Sequence, residues 1–316
     1  MSTKHRGPKK PNDKGLHPRN LHRKGYDFPA LIKAHPPLSP YVKTNLHGNL
    51  SIDFADPLAV KLLNASLLKK DYQINNWDIP EKTLCPPIPG RVDYIHYVAD
   101  LLGLDLPSSK PTKKEAKIRL LDIGTGANGI YPLLACQIYG WHSVGSDINK
   151  NSLANVESII GQNPSLKDRF TLRLQEDKNK IFDGIIQPDE SFDISVCNPP
   201  FHASEEEAIK GSQRKIKNLA KNRAEQESTK KAPTLNFGGQ EAELWCKGGE
   251  KLFLKKLIKE SQVFASQCRW FSTLVSKNEN VKPAQKLIRK LGASDIREIE
   301  MKQGNKITRI LAWTFR

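Results

Sequence analysis

From residue 118 onward, apolar runs of strand length alternate with helical windows, and this rhythm limits the folds that the chain can adopt. The apolar runs lie at residues 118–123, 143–148, 170–174, 192–197 and 269–275. The helical windows, in which apolar residues recur at helical spacing, cover residues 130–139, a stretch that ends at residue 160, and residues 250–264. Strands that alternate with helices of this length predict a parallel sheet with helices on both faces.

The C-terminus departs from this rhythm. Two further apolar runs, at residues 296–301 and 307–315, flank Gln303-Gly304-Asn305. A short polar link that contains glycine, placed between two such runs, is typical of an antiparallel hairpin. The sequence therefore predicts an α/β fold whose mostly parallel, seven-stranded sheet ends in an antiparallel C-terminal hairpin.

The N-terminal third of the chain lacks this alternation. Residues 1–25 contain eight Lys or Arg residues, one acid and three prolines, with no apolar periodicity. This composition predicts a disordered basic arm. Residues 26–115 contain helical windows at 57–70 and 92–102. We expect them to form an N-terminal extension that packs on the core.

The predicted core, residues 116–316, is interrupted at about residues 203–247 by a long polar insertion. The insertion carries eight basic residues between positions 210 and 231, and a segment of this kind is either functional or disordered. Over the whole chain, 50 Lys and Arg residues oppose 34 Asp and Glu residues, which gives a net charge of +16. Such a balance favours a polyanionic partner, because basic side chains that neutralise phosphates release condensed counterions. A charge that serves only solubility is the alternative.

Several classes of protein do not fit the composition. No window approaches the ~18 uninterrupted apolar residues that a membrane span needs, and the first residues lack the apolar region of a secretory signal. The five cysteines are scattered, without a C-x-x-C pair, which argues against both a zinc site and a disulfide framework. We therefore expect a cytoplasmic protein without a metal site, and a monomer.

A glycine motif follows the first apolar run, where Asp122, Gly124 and Gly126 stand in the stretch LDIGTGANG. Glycines at this place permit a tight turn and a close approach of the backbone to a ligand. The spacing fits a dinucleotide fingerprint as well, and Asp147, at the end of the next predicted strand, suits the ribose of either cofactor. Asp122 favours S-adenosylmethionine, because the cationic amino-acid end of that cofactor benefits from a nearby carboxylate. An ordinary strand-to-helix turn is the alternative.

The second motif, Asn198-Pro199-Pro200-Phe201, follows the predicted strand at 192–197, and we call it the NPPF motif. The exocyclic amino group of adenine is a poor nucleophile because its lone pair is delocalised into the ring. Two acceptors, the Asn198 side-chain oxygen and the Pro199 carbonyl, can bind its two hydrogens, while the prolines stiffen the backbone. Phe201 offers a flat face for stacking on an extruded base. The motif therefore predicts methylation of an adenine amino group, with a proline-stiffened loop as the alternative.

Longer stretches of the chain are similar to one known family. They are residues 91–100 (RVDYIHYVAD), 121–134 (LDIGTGANGIYPLL), 196–202 (VCNPPFH), 235–249 (LNFGGQEAELWCKGG) and 309–315 (RILAWTF). These stretches resemble the bacterial 23S ribosomal RNA adenine N(6)-methyltransferases. They are similar, more distantly, to the metazoan adenosine methyltransferases that act on spliceosomal and messenger RNA. The resemblance implies the class I, Rossmann-like methyltransferase fold.

The resemblance also implies roles for individual residues. Arg91 matches an arginine that contacts the carboxylate of S-adenosylmethionine, a task that suits a bidentate guanidinium. Gly124 and Gly126 would pass the methionine part of the cofactor, and Asp147 would hold its ribose hydroxyls. The four residues of the NPPF motif would be catalytic.

We therefore expect an S-adenosylmethionine-dependent enzyme that methylates N6 of an adenine in large-subunit ribosomal RNA, either naked or in an assembly intermediate. One alternative is methylation of a protein glutamine, although such enzymes usually carry Tyr in place of Phe201. Another is DNA adenine methylation, for which the sequence offers no target-recognition domain. The last is a non-catalytic RNA-binding protein, against which intact Asp122, Gly124, Gly126 and Asn198 argue.

Overall fold

The structure is a computed structural model. It describes residues 15–46, 48–81, 83–104, 118–200, 246, 248–303 and 306–316. The predicted boundary near residue 115 lies outside the described residues, and so does the predicted insertion, apart from Cys246. Within the described ranges, no helix combines the length and the apolar content needed to cross a bilayer.

The N-terminal extension is mainly helical. Its elements are α1 (Phe28–Ala34), β1 (Val42–Thr44), β2 (Leu50–Ile52), α2 (Pro57–Tyr72) and α3 (Ile88–Leu101). Helix α2 begins at Pro57 because the Asp56 side chain accepts hydrogen bonds from the N–H groups of Leu58 and Ala59. A proline suits this first position, since its missing N–H would have no partner within the helix.

A mixed seven-stranded sheet forms the core. Its strands are β3 (Arg119–Ile123), β4 (His142–Asp147), β5 (Phe170–Leu174), β6 (Phe192–Cys197), β7 (Cys268–Val275), β8 (Asp295–Gln303) and β9 (Lys306–Thr314). Their order in the sheet is β5-β4-β3-β6-β7-β9-β8. Strands β3 to β7 pair in parallel, whereas β9 runs antiparallel to both β7 and β8. The predicted fold is confirmed, and the predicted strand bounds differ from these by at most two residues.

Helices cover both faces of the sheet. They are α4 (Ile130–Tyr139), α5 (Lys150–Gly161), α6 (Gly249–Val263) and α7 (Val281–Lys290). Side chains alternate across the strands, so Leu120 packs in a hydrophobic cluster with α3, α4 and α5, while Leu121 packs with α6 and α7. The strand–helix rhythm did not predict α7, because only Val281, Ala284 and Ile288 of this lysine-rich helix are buried.

Residues 15–25 differ from the predicted disordered arm. Residues Leu21–Lys24 form a 3₁₀ turn, and the side chains of His17, Asn20 and His22 are buried. The N–H group of His17 donates to the Asp93 carboxylate on α3 at 3.1 Å, and the Asn20 side-chain amide donates to the same carboxylate. The prediction of disorder is wrong for this stretch. Polar contacts hold it in place, and order of this kind produces no apolar periodicity from which the sequence could predict it.

Candidate active site

Three strand ends meet where the order of the sheet reverses. Strand β3 lies between β4 and β6, so the chain leaves β3 towards one side and returns to β6 on the other. In parallel sheets such a switch point opens a crevice at the carboxyl ends of the strands, and ligands bind there. This arrangement brings together the glycine loop after β3, Asp147 at the end of β4, and Asn198 after β6.

The glycine loop turns tightly over the end of β4. The N–H groups of Gly124 and Thr125 both donate to the carbonyl of Ser146 at 2.9 Å. Gly124 and Gly126 have φ angles of 73° and 61°, which a residue with a Cβ rarely adopts. A Cβ built on Gly124 would meet no heavy atom within 4 Å, so the loop faces open space. A ligand can therefore approach the backbone closely at this position.

Asp147 is tied to the glycine loop. One carboxylate oxygen accepts from the Gly126 N–H and the other from the Asn149 N–H, each at 2.9 Å. Burial raises the pKa of this carboxyl above its usual value, and the backbone N–H groups of Asn149, Gly126 and Ile148 oppose the rise. Each carboxylate oxygen has two lone-pair sites, so Asp147 retains acceptor capacity for two hydroxyl groups of a ligand.

Asp122 and Arg91 form a second polar group. Asp122 is only 1% exposed, and neither of its carboxylate oxygens has a hydrogen-bond partner within the described ranges. Burial raises the pKa of Asp122 to about 7. The Thr125 hydroxyl, which lies outside hydrogen-bonding geometry, and the Arg91 charge both oppose this rise. Arg91 donates to the Tyr131 hydroxyl, and its guanidinium carbon lies 5.4 Å from the centroid of that ring.

A hydrogen-bonded chain supports the end of β6 just before Asn198. The Cys197 N–H donates to the Tyr94 hydroxyl at 3.4 Å, and this hydroxyl lies 2.9 Å from the Ser272 hydroxyl. The Ser272 hydroxyl in turn donates to the carbonyl of Ser195 at 2.8 Å. The Asn198 side-chain oxygen is itself buried and has no partner in the described part of the chain. The strand end therefore holds in place an acceptor that no described protein group uses.

Several of these groups line a cleft of about 1060 Å³. The predicted site residues that line it are Gly124, Gly126, Asp147, Asn198 and Pro200. Three others do not line it, namely Arg91, Asp122 and Pro199. Phe201, the last residue of the NPPF motif, lies outside the described residues. The cleft slightly exceeds the range of roughly 300–1,000 Å³ that is usual for small-molecule sites, so there is room for a cofactor and part of a second ligand.

The structure adds residues that the motifs did not indicate. The loop after β5 reaches the cleft, where Gln175 donates its N–H to the Asp147 carbonyl at 2.8 Å. The Trp77 indole N–H donates to the Asn128 carbonyl at 3.0 Å, which fastens the N-terminal extension to the glycine loop. Tyr94 belongs to a stretch that carries the family resemblance, and this was the one available signal for it. Gln175 and Trp77 lie in stretches without such a signal.

The residues present fit S-adenosylmethionine. Buried polar atoms normally have hydrogen-bond partners, yet both oxygens of Asp122 and the Nε of Arg91 have none within the described ranges. An amino acid end, with its ammonium and carboxylate groups, matches this acid and base. Asp147 offers acceptors for ribose hydroxyls, and the open side of Gly124 admits a ligand against the backbone.

Comparisons with known proteins identify the family. The model of a family described as RNA methyltransferase matches residues 10–316. The chain is 61% identical over 307 residues to the ribosomal RNA large subunit methyltransferase F of Saccharophagus degradans, with 96% of each chain covered. It is 58% identical over 313 residues to the protein of the same name from Shewanella halifaxensis, with 96% of this chain and 82% of the relative covered.

Solved structures show the same fold. One is the hMettl16 catalytic domain in complex with MAT2A 3′UTR hairpin 1, which is 30% identical with a TM-score of 0.76 and covers 95% of this chain and 96% of that chain. Another is the N-terminal domain of human METTL16 in complex with SAH, which is 27% identical with a TM-score of 0.73 and covers 95% and 99%. SAH is S-adenosylmethionine without its methyl group, so the family and this complex confirm the predicted cofactor. With a family match over most of its length and relatives near 60% identity, the chain belongs to the RNA methyltransferases.

Proposed function

We propose that this RNA methyltransferase transfers a methyl group from S-adenosylmethionine to the N6 amino group of one adenine in 23S ribosomal RNA. The observation that carries the proposal is the end of β6. There Asn198 holds a buried side-chain oxygen that has no partner among the described residues, and two buried prolines follow it.

The acceptors at this strand end suit an exocyclic amine. Its lone pair is delocalised into the adenine ring, so the nitrogen attacks well only when it becomes pyramidal. The Asn198 oxygen and the Pro199 carbonyl can each accept one of its two hydrogens, which favours the pyramidal form. Proline has no N–H, so Pro199 and Pro200 add no competing donor to the loop.

Positioning is the main task of the protein groups. The Tyr94 hydroxyl, through the Cys197 N–H, limits the movement of the strand end that carries Asn198. An amine held in line with the methyl group reacts as if its concentration were very high, which supplies a large part of the rate.

Two acids and one arginine would hold the cofactor, and of these three residues only Asp147 lines the cleft. When bound, S-adenosylmethionine supplies an electrophilic methyl group on a cationic sulfonium. Asp122 would hold the ammonium group, Arg91 the carboxylate and Asp147 the ribose hydroxyls. After transfer, the methylated amine loses its extra proton readily to water, so no protein base is needed.

Large-subunit RNA is the proposed substrate because the relatives carry it in their names and because the net charge of +16 suits a polyanion. We propose that the enzyme acts as a monomer on naked RNA or on an assembly intermediate. Its cysteines within the described ranges are free thiols, which suits the reducing cytoplasm.

Tritium transfer tests the proposal. The protein is incubated with labelled S-adenosylmethionine and, separately, with large-subunit RNA, DNA and a protein extract. We expect label in the RNA alone, and after digestion to nucleosides we expect it to co-elute with N6-methyladenosine. Asn198→Ala serves as the inactive control.

Other results would identify a different enzyme. Label in the protein fraction would point to glutamine, and label in DNA to DNA adenine methylation. Label at another position of adenine would refute the role given to Asn198. Cofactor binding without transfer to any fraction would indicate a non-catalytic RNA-binding protein.

A further inference from the structure

One wall of the cleft is lined by lysines. Lys178 lies in the loop after β5, and Lys255, Lys256 and Lys259 lie on α6. We call these four residues the lysine wall. They line the same cleft as Asn198 and Asp147.

No carboxylate among the described residues neutralises the lysine wall. In the described part of the chain, none of its ammonium groups forms an ion pair with a carboxylate, and that of Lys256 donates to the Lys178 carbonyl at 3.1 Å. Lys180 also lines the cleft, but its ammonium group lies 2.7 Å from the Asp183 carboxylate, so it is not part of the lysine wall. Lys61 and Lys70, away from the cleft, are likewise each 2.7 Å from an Asp carboxylate. Among the described residues that line the cleft, Asp147 is the only acid. Like charges grouped in this way repel one another, which favours an anionic ligand.

The cofactor does not explain this charge. S-adenosylmethionine carries a sulfonium and an ammonium against one carboxylate, so it is a net cation and is repelled by the lysines. The second ligand of the cleft is the substrate, and in RNA every nucleotide brings one phosphate. Lys255 and Lys259 lie one turn apart on α6, about 6 Å along its axis. Each of the two can therefore contact a different phosphate.

We propose that the lysine wall binds the phosphodiester backbone beside the adenine that enters the cleft. This inference rests on the proposed RNA substrate and adds the place where its backbone lies. Contacts to phosphate do not read sequence. The lysine wall therefore contributes affinity and register, whereas the strand end at Asn198 receives the base.

A pair of double variants tests the inference. In the first, Lys255→Gln and Lys259→Gln remove two charges from the lysine wall. In the control, Lys282→Gln and Lys286→Gln remove two charges from α7, where both side chains are exposed and do not line the cleft. Binding of a radiolabelled transcript of large-subunit RNA is measured by filter retention between about 50 and 200 mM salt. Cofactor affinity is measured by calorimetry, and folding by the thermal midpoint.

We expect the first variant to bind RNA roughly tenfold more weakly, with a slope of log K against log salt that is shallower by about 1.4 for two lost contacts. The control should stay within about twofold of wild type, and cofactor affinity should be unchanged or higher in both. An unchanged slope in the first variant would overturn the inference, and so would an equal loss in the control or a loss of cofactor affinity. The position of the methyl group in wild-type product is read separately, so a failure of the N6 assignment is distinguishable from a failure of the lysine wall.

Discussion

Asp122 and Glu250 are two carboxylates buried near the carboxyl ends of the parallel strands, and they differ in their hydrogen-bond partners. Each is 1% exposed. Glu250, in the first turn of α6, accepts hydrogen bonds of 2.6 to 3.1 Å from the N–H and hydroxyl of Ser276, the N–H of Lys277 and the side-chain amide of Asn280. Asp122, in β3, accepts none from any described residue.

The contrast distinguishes a carboxylate that stabilises the fold from a carboxylate that belongs to the binding site. Burial of a carboxylate is unfavourable unless donors compensate for the lost water. For Glu250 the donors come from the loop after β7, so the carboxylate joins this loop to the start of α6. For Asp122 the unfavourable energy remains, and burial raises its pKa to about 7. A cationic ligand would relieve it, so we interpret the unpaired acid as part of a binding site and the paired acid as a structural link.

The largest expected effect concerns the catalytic site. Asn198→Ala should lower the rate of methyl transfer by about 10²–10³, the usual loss for one preorganised polar contact. Cofactor affinity should stay within several-fold of wild type, because the oxygen serves mainly the target nitrogen. Single-turnover kinetics and calorimetry measure the two quantities, with exposed Asn151→Ala as the control. Near-normal turnover of Asn198→Ala would contradict the catalytic role.

Loss of the structural carboxylate should lower the stability of the protein instead. Glu250→Ala leaves four donors without their acceptor, among them the side-chain amide of buried Asn280, so we expect the free energy of unfolding to fall by about 3 kcal/mol. Urea denaturation measures this, and Lys251→Ala, at the exposed neighbouring position, is the control. If Glu250→Ala were as stable as wild type, the structural link would be unimportant and the contrast with Asp122 would fail.

Asp147 lies between the two cases, because protein donors use only part of its capacity. Asp147→Ala should weaken binding of S-adenosylmethionine by about 1.5–3 kcal/mol, the range for hydrogen bonds to a charged group. Calorimetric titration measures this, with exposed Asp189→Ala as the control. An unchanged dissociation constant would show that the ribose lies elsewhere.

A second set of polar contacts holds residues 15–25 in place. Two deletions, one that keeps these contacts and one that removes them, measure what they contribute. Removal of residues 2–14 should leave the thermal midpoint unchanged and make the salt dependence of RNA binding shallower by a few units at most. Removal of residues 2–24 should also lower the free energy of unfolding by about 2 kcal/mol, because Asp93 loses the donors on His17 and Asn20. Equal stability of the two truncated proteins would mean that these contacts contribute nothing.

The last expected effect concerns the pH dependence of stability. Because the folded pKa of Asp122 is raised to about 7, the folded protein binds a proton that the unfolded chain releases near pH 4. The stability of the free enzyme therefore falls as pH rises from about 4 to about 7. Asp122→Asn should lose this part of the fall, as urea denaturation at pH 5 and pH 8 would show. The same pH dependence in both proteins would refute the shifted pKa.

Local patterns were sufficient for the sheet and for the main motifs. Strands β5 and β6 have their predicted bounds because alternation along a strand depends only on that strand. The positive φ angles at Gly124 and Gly126 likewise follow from turn chemistry within a few residues. Neighbouring strand ends in a parallel sheet meet at one edge, so the predicted alternation also brought Asp147 and Asn198 to one cleft.

The sequence by itself thus determined which elements form and which strand ends carry polar groups, because both depend on spacing along the chain. Only the tertiary structure decided which polar side chains meet. His17 and Asp93 are 76 residues apart, and no periodicity relates them. The same holds for Glu250 and its donors after β7, and for Lys178 and the lysines of α6. Hydrogen bonds and charges act through space over a few ångströms, whatever the separation along the chain. The packing of the chain therefore decided that Glu250 has four donors and that Asp122 has none among the described residues.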